Sequence, residues 1–326
     1  MKAVLAVAAA ASFALAPADA VQAPVQSEVE APGPSGPLRG TMLAPASSPR
    51  AVMLIIPGSG PADRNGNSPL GVTASPYRLL AEGLVARGVA TVRIDKRGMF
   101  GSGTAIPDAN RVTIPDYASD VHAWTRVVRE RTGLPCVWVA GHSEGGLVAL
   151  AAAQQPEGLC GIVLISASGR PVGTVLREQL RANPANAPLL PEAMAALDGL
   201  EAGRRVSTDG MHPALAPLFA SQVQDYLISL FSYDPAQLAQ TVRLPMLIIQ
   251  GQRDLQVGEV DARRLAAANP SARLVFVAEA NHVLKAVPDD RNANIAAYTN
   301  PALPLAPGIV DAIADFVTSQ ASAGAR

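Results

Sequence analysis

The chain has 326 residues, of which 49% are hydrophobic, 16% are charged and 4% are aromatic, and its formal net charge at pH 7 is −1. This apolar content supports a large buried core, and the length fits an α/β fold that carries an insertion. Because the charge is balanced, with no basic stripe and few aromatic side chains, nucleic-acid binding has no electrostatic support.

The first 20 residues have the pattern of a signal peptide. Met1-Lys2 gives a minimal positive start, an apolar run extends from Ala3 to Ala16, and Ala18-Asp19-Ala20 fits a small-x-small cleavage site. The apolar run is too short for a comfortable membrane span, and no cysteine near the cleavage site could carry a lipid. We expect cleavage near Ala20 and a periplasmic or secreted protein without a stable membrane anchor. A retained apolar N-terminal helix is the alternative.

From residue 21 onward, strand patterns alternate with helix patterns. A linker rich in Pro and Gly runs into an edge hairpin, and later apolar runs are typical of strands buried on both faces. The predicted strands are Val25–Ala31, Leu38–Leu43, Ala51–Pro57, Val89–Asp95, Cys136–Gly141, Cys160–Ala167, Leu244–Gly251 and Ala272–Val277. The main predicted helices are Ser75–Arg87, Ile114–Arg131, one directly after Gly141, and Pro307–Gln320. This alternation predicts a mostly parallel sheet of about eight strands with helices on both faces.

The segment from Gly169 to Gln240 interrupts this rhythm. It has no strand pattern, several short helix-like stretches, and five prolines between Pro184 and Pro217. We interpret it as a helical cap inserted after the sixth strand. The predicted division is a signal peptide at 1–20, a first part of the core at 21–168, the cap at 169–240 and a second part of the core at 241–326.

The most informative motif is Gly-His-Ser-Glu-Gly at 141–145, between a predicted strand and a predicted helix. A serine with a glycine two residues away on each side suits a very sharp strand-to-helix turn, because glycine lets neighbouring backbone approach closely. Such a turn lifts the serine hydroxyl to the head of a helix, whose amides can steady an anion. The context predicts that Ser143 is a nucleophile; a plain turn serine is the alternative.

A hydroxyl needs a neighbouring base to act as a nucleophile at neutral pH. Of the four histidines, His142 precedes the serine and should point away from it, His122 lies in a helix, and His212 lies in the cap. His282 follows the last predicted strand and gives the order serine, acid, histidine that is typical of hydrolases. We therefore predict that His282 is the base.

Asp254 is the predicted acid that orients the imidazole of His282. It lies in the loop after the Leu244–Gly251 strand, where open α/β sheets bind their ligands. Asp261 lies farther along in the next helix, and Asp289 and Asp290 follow His282 and break the order. A helix cap or a loop ion pair is the alternative role for Asp254.

Two backbone amides must stabilise the oxyanion of a tetrahedral intermediate. The amide of Glu144, directly after the nucleophile, is the first predicted donor. The second should come from the glycine-rich loop after the Ala51–Pro57 strand, and we choose Ser59, with Gly60 as the alternative. Another loop, Asp95-Lys96-Arg97-Gly98, lacks the G-x-x-x-x-G-K-[ST] pattern of a phosphate loop. We interpret Asp95 and Arg97 as ion-paired scaffold residues, with a catalytic role as the alternative.

With these motifs, the chain resembles the α/β-hydrolases of the serine esterase and serine-aminopeptidase-like (S33-type) group. It carries P-G-S-G-P-x-D-R-x-G-N, D-K-R-G, G-H-S-E-G-G, G-x-x-D and N-H in the order of that group, over about residues 38–167 and 241–320. The D-x-R-G-x-G-x-S pattern of the family is loosened here by an extra residue at Met99-Phe100. The resemblance implies an α/β-hydrolase fold and hydrolytic activity.

The combined prediction is an exported serine hydrolase that cleaves small carboxylic esters through an acyl-enzyme. No metal or organic cofactor is implied, since neither cysteine sits in a metal-type pair, and no oligomeric state is predicted. An aminopeptidase or amidase is the alternative, with Glu178, Glu192 or Glu201 of the cap holding a substrate amine. A binding protein of the same fold without turnover is a third interpretation, which the complete serine, acid and histidine set argues against.

The only two cysteines, Cys136 and Cys160, start two predicted neighbouring strands. Parallel neighbours lie about 4.8 Å apart, close to the Cα separation that a disulfide needs, and an exported protein enters an oxidising compartment. We therefore predict a structural disulfide. Two free thiols are the alternative, because adjacent strands can direct side chains to opposite faces.

Overall fold

A computed structural model describes residues 23–323 of the chain, so the predicted signal peptide lies outside the described residues. Within that range the chain forms one eight-stranded sheet, in the order β1-β2-β4-β3-β5-β6-β7-β8. Its strands are β1 Val25–Ala31, β2 Leu38–Ala44, β3 Ala51–Ile56, β4 Val89–Ile94, β5 Val137–His142, β6 Leu159–Ile165, β7 Met246–Gly251 and β8 Arg273–Val277. β2 pairs antiparallel with both β1 and β4, while β3 to β8 pair in parallel. The predicted mostly parallel sheet is confirmed.

Helices cover both faces of the sheet, also as predicted. In the described part of the chain the α-helices are α1 Pro76–Ala86, α2 Ile114–Thr132, α3 Glu144–Ala152, α4 Val172–Ala182, α5 Leu190–Glu201, α6 Gln224–Phe231, α7 Pro235–Thr241, α8 Glu259–Ala268, α9 Arg291–Ala296 and α10 Ile309–Ala323. Helices α1 and α10 pack on one face, and α2, α3 and α8 pack on the other. None of the described helices combines the length and the apolar character that crossing a membrane requires.

The alternation of side chains along β3 shows how one strand serves two cores. Val52, Leu54 and Ile56 are buried with α2 and α3, whereas Met53 and Ile55 are buried with α1 and α10. Successive side chains of a strand point to opposite faces, so a strand covered on both faces is apolar at every position. This is why the run Ala51–Ile56 contains no polar residue.

Helices α4 to α7 lie between β6 and β7, which confirms a helical insertion after the sixth strand. Its entry is fixed by Asp261 of α8, whose side chain is 0% exposed. This carboxylate accepts hydrogen bonds from the Gly169 amide at 3.0 Å and the Arg170 amide at 3.1 Å, and the Arg170 guanidinium pairs with it at 2.9 Å. The division into core and cap at residues 168 and 240 remains a prediction.

Parallel topology gathers the candidate site residues at one edge of the sheet. The loop with Ser59 follows β3, Ser143 follows β5, and Asp254 follows β7. The carboxyl ends of parallel strands meet at one edge, which is where open α/β sheets form their sites. Residues more than 190 positions apart in sequence are thereby brought to one end of the molecule.

Candidate active site

Ser143 occupies a sharp turn between β5 and α3. Its backbone has φ 53° and ψ −120°, a conformation that non-glycine residues rarely adopt. A Cβ atom at Gly141 would lie 2.0 Å from the Gly145 carbonyl oxygen, and one at Gly145 would lie 2.5 Å from the Ile56 carbonyl oxygen. Both glycines of the motif are thus required by close backbone approach, and the turn presents Ser143 at the N-terminus of α3.

His282 and Asp254 form a hydrogen-bonded pair in the loops after β8 and β7. The distance from His282 Nδ1 to Asp254 Oδ2 is 2.8 Å, and the side chains are 7% and 0% exposed. Oδ1 of Asp254 accepts the amide protons of Gln256 at 2.8 Å and Val257 at 3.0 Å. Burial alone would raise the pKa of Asp254, but His282 and these two amides together lower it. The carboxylate therefore stays ionised and orients the imidazole, which leaves Nε2 for proton exchange.

His142 connects the Ser143 turn to His282 by hydrogen bonds. Its Nε2 lies 2.8 Å from the His282 carbonyl oxygen, which can only accept, so Nε2 carries the proton and Nδ1 is an acceptor. Nδ1 lies 2.9 Å from the Tyr77 hydroxyl, which itself accepts the Gly58 amide proton at 3.1 Å. Burial, followed by the nearby His282, lowers the pKa of His142 to about 3. With both ring nitrogens engaged, His142 is not available as the base.

His142, the residue directly before Ser143, lies against His282. The rings of His142 and His282 have centroids 4.7 Å apart, and Ser143 follows His142 directly. Within residues 23–323, no hydrogen bond joins the Ser143 hydroxyl to the His282 ring. Catalytic hydrogen bonds are often long without substrate and shorten in the reacting complex.

Two amide donors are available next to Ser143. Glu144 is the first residue of α3, and an amide at that position has no acceptor within the helix. The Ser59 amide donates to no acceptor among the described residues, whereas Gly58 before it is hydrogen-bonded through both its N–H and its carbonyl. A Cβ atom at Gly58 would lie 3.2 Å from Ser143 Cβ, so this loop passes directly beside Ser143.

A buried ion pair beneath these donors was not predicted from the sequence. Lys96 Nζ lies 2.9 Å from Glu144 Oε1 and 2.6 Å from the Gly58 carbonyl oxygen. Tyr226 of α6 donates its hydroxyl proton to the other carboxylate oxygen of Glu144. Burial alone would lower the pKa of Lys96, but the Glu144 charge raises it above its ordinary value. Lys96 and Glu144 each lie inside a motif that the sequence shows, but the two residues are 48 positions apart, so the sequence pattern does not reveal their contact.

Comparison with known proteins assigns the family. Residues 53–298 match the model of the alpha/beta hydrolase family. The chain belongs to this family. Among solved structures, this alpha/beta hydrolase is similar to the hydrolase GrgF from Penicillium sp. sh18, with 19% identity, a TM-score of 0.58 and coverage of 91% of this chain and 99% of that one. It is also similar to Est1E from Butyrivibrio proteoclasticus, with 15% identity, a TM-score of 0.56 and coverage of 90% and 99%. These likenesses show the fold.

A curated relative is esterase EstD of Thermotoga maritima. It is 25% identical over 247 residues, which are 73% of this chain and 55% of the relative. The hydrolase chain therefore spans about half the length of that relative.

Asp95 and Arg97 of the hydrolase are scaffold residues, as predicted. Asp95 pairs with Arg64 at 2.7 Å, and Arg97 pairs with Asp120 at 2.6 Å and with Asp116 at 2.9 Å. The Asp95 pair braces the loop after β3, and the Arg97 pairs tie the loop after β4 to helix α2. Both side chains are buried, and their ion pairs hold these two loops in place.

The three cap carboxylates considered for an aminopeptidase are already engaged in the hydrolase. Glu178 pairs with Arg170 at 2.5 Å, Glu201 pairs with Arg177 at 2.6 Å, and Glu192 accepts the amide proton of His212 at 3.0 Å. His212 is exposed, and His122 lies on α2. None of these groups is hydrogen-bonded to Ser143, Asp254 or His282 within the described residues.

In the structure, Cys136 and Cys160 are joined by a disulfide with Cα atoms 5.1 Å apart. Cys136 directly precedes β5, and Cys160 is the second residue of β6. The bond therefore lies at the amino ends of these strands, at the edge of the sheet opposite Ser143. Its role there is structural.

Proposed function

We propose that this protein is an exported serine hydrolase that cleaves carboxylic esters, with Ser143 as nucleophile, His282 as base and Asp254 as the orienting acid. One observation supports the proposal above the others. The strained serine turn lies at the same sheet edge as a His282–Asp254 pair separated by 2.8 Å. A buried carboxylate, an oriented imidazole and a serine at a helix N-terminus are the parts of acyl-transfer catalysis.

Acylation follows from these roles. His282 Nε2 takes the proton of the Ser143 hydroxyl while Oγ forms a bond to the ester carbonyl carbon. The resulting oxyanion accepts hydrogen bonds from the Ser59 and Glu144 amides. His282 then gives its proton to the leaving alkoxide, the carbon–oxygen bond to the alcohol breaks, and an acyl-enzyme remains on Ser143.

Deacylation repeats the same steps with water. His282 takes a proton from water as the water oxygen attacks the acyl carbon, and the tetrahedral intermediate uses the same two amides. When it collapses, the bond to Ser143 Oγ breaks, the serine regains its proton from His282, and the carboxylic acid leaves. Asp254 stays ionised throughout and stabilises the imidazolium in both halves.

Esters are preferred over amides and peptides as the proposed substrate class for two reasons. The relative from Thermotoga maritima is named an esterase, and the cap carboxylates that could hold a substrate amine are paired with other groups. The test compares p-nitrophenyl esters of increasing acyl length with aminoacyl-anilides, each at matched concentration. Faster turnover of the anilides would contradict the ester assignment.

Export is part of the same proposal. It is supported by the signal-peptide pattern at residues 1–20 and by a disulfide, a bond that persists in oxidising compartments. Fractionation of cells that express the full chain, followed by N-terminal sequencing, tests it. We expect a periplasmic or secreted form that begins near residue 21, and an unprocessed cytoplasmic form would contradict export.

A further inference from the structure

Both backbone polar groups of Gly58 are hydrogen-bonded to buried side chains. Its carbonyl oxygen accepts a hydrogen bond from Lys96 Nζ at 2.6 Å, and the Gly58 amide donates to the Tyr77 hydroxyl at 3.1 Å. The described residues contain no cis peptide bond. In a trans peptide the carbonyl and the following N–H point in opposite directions. Fixing the Gly58 carbonyl onto Lys96 therefore directs the Ser59 N–H away from Lys96.

Lys96 is itself fixed. Its side chain is 3% exposed, lies 2.9 Å from a carboxylate oxygen of Glu144, and stands 5.1 Å from the centre of the Tyr117 ring. The second carboxylate oxygen of Glu144 accepts the Tyr226 hydroxyl proton. The ammonium thus links the backbone carbonyl of Gly58 to the side chain of Glu144, and the proposed oxyanion donors are the amides of Ser59 and of Glu144 itself.

An ammonium on a carbonyl also polarises the peptide. Hydrogen bonds in a chain strengthen one another, most strongly where the surroundings exclude water. The charge of Lys96 draws electron density toward the Gly58 oxygen and makes the Ser59 N–H a stronger donor. Both effects, the orientation of the Ser59 N–H and its polarisation by Lys96, would strengthen its hydrogen bond to an oxyanion that forms only during the reaction.

We propose that Lys96 is a positioning residue for the oxyanion hole, acting through the Gly58–Ser59 peptide and held in place by Glu144. This inference rests on the proposed function of Ser143 as nucleophile. An interaction made only in the transition state lowers kcat and leaves KM nearly unchanged. Removing one oxyanion donor outright costs about 100- to 1000-fold, so loss of its orientation should cost about 10- to 100-fold.

The first test is Lys96→Met, assayed with a short p-nitrophenyl ester. We expect kcat to fall about 10- to 100-fold at nearly constant KM. Affinity for a trifluoromethyl ketone, which forms a tetrahedral oxyanion on serine, should fall by a similar factor. The adjacent Arg97→Met variant is the matched control: it also breaks a buried ion pair of the same loop without touching Gly58. It should lose stability and keep kcat in the folded fraction.

A second variant distinguishes the loss of Lys96 as a positioning residue from the effect of an unpaired Glu144 charge, which could also unfold the protein. Lys96→Met leaves a buried Glu144 carboxylate unpaired, which can unfold the protein. Lys96→Met/Glu144→Gln removes that charge, so it should regain stability while kcat and ketone affinity stay low. Recovery of wild-type kcat and ketone affinity in this double variant, or an equal kcat loss in Arg97→Met, overturns the inference. An active Ser143→Ala protein would instead overturn the proposed function.

Discussion

The backbone of Ser143 is strained, and neighbouring residues hold it in this conformation. A non-glycine residue at φ 53° is destabilised by on the order of 1–3 kcal/mol, and such strain is concentrated at functional sites. The strain persists because Gly141 and Gly145 close the turn on both sides and the Ser143 amide is hydrogen-bonded to the Ile165 carbonyl at 2.9 Å.

Replacing Ser143 with alanine should abolish ester turnover in a folded protein. Loss of a triad nucleophile commonly reduces kcat on the order of a million-fold. Turnover of a p-nitrophenyl ester and labelling by a fluorophosphonate measure this, with circular dichroism as the control for folding. If the Ser143→Ala protein is labelled as well as wild type, another residue is the nucleophile.

Substitutions of the proposed base, His282, and of the proposed acid, Asp254, should differ in how far they reduce kcat. His282→Ala should reduce kcat nearly as much as Ser143→Ala, and Asp254→Asn should reduce it less, because the residues act as a unit. His212→Ala, at an exposed position outside the site, is the control and should keep most activity. An inactive His212→Ala together with an active His282→Ala would contradict the assignment.

The junction between β5 and α3 is the element on which the site depends most. A Cβ atom at Gly141 would meet the Gly145 carbonyl oxygen at 2.0 Å, so Gly141→Ala must displace the helix or the strand. We expect a loss of about 3 kcal/mol in the free energy of unfolding. Gly103→Ala is the matched control, because a Cβ atom there has no neighbour within 4 Å. Equal urea midpoints for the two variants would contradict this account.

The disulfide joins the same strand, β5, to β6 at their amino ends. Its cysteines are 24 residues apart, and chain entropy for a loop of this size corresponds to about 3 kcal/mol. Cys136→Ser/Cys160→Ser should lose about that much stability and retain kcat, since the bond lies away from Ser143.

Mass spectrometry of the unreduced, alkylated protein purified from the periplasm should detect no alkylated cysteine. Two alkylated cysteines there would contradict the bond.

At the scale of the whole molecule, stability at alkaline pH should depend on Lys285. This side chain is fully buried and donates to the Leu303 carbonyl, and no carboxylate pairs with it in the described part of the chain. Burial and, second, the charge of Arg78 lower the pKa of Lys285 from 10.5 to about 8. The folded state therefore releases this proton at lower pH than the unfolded state does.

The direction of this pH dependence follows from the difference in bound protons between the unfolded and folded states. Between about pH 8 and about pH 10 the unfolded chain binds more protons at this site than the folded protein, so stability rises with pH by about 2 kcal/mol. Above about pH 10 the tyrosines, whose pKa values burial raises, reverse the trend. Urea unfolding across this range should show the rise in wild type and not in Lys285→Met. The same rise in both proteins would contradict the role of Lys285.

Local patterns were sufficient to predict the strands, the helical insertion and the serine turn. The run Ala51–Ile56 is apolar because it is covered on both faces, and Gly-His-Ser-Glu-Gly marks a turn whose requirements are local. The approximate position of Asp254 and His282 followed from chain order and from the loops after β7 and β8. Helix α9 was not predicted, because its six residues show too little apolar periodicity.

Only the tertiary structure decided which polar groups meet. Lys96 and Glu144 are 48 residues apart and Tyr226 is 82 residues from Glu144, and no periodicity reports a contact at such a distance. The two engaged nitrogens of His142 and the fixed carbonyl of Gly58 likewise depend on how β3, β5 and the loop after β8 are stacked. The sequence by itself determined where each element forms, because burial and turn geometry are local requirements. The pairing of buried charges was determined by the folded sheet, since it joins groups from elements that are neighbours only in space.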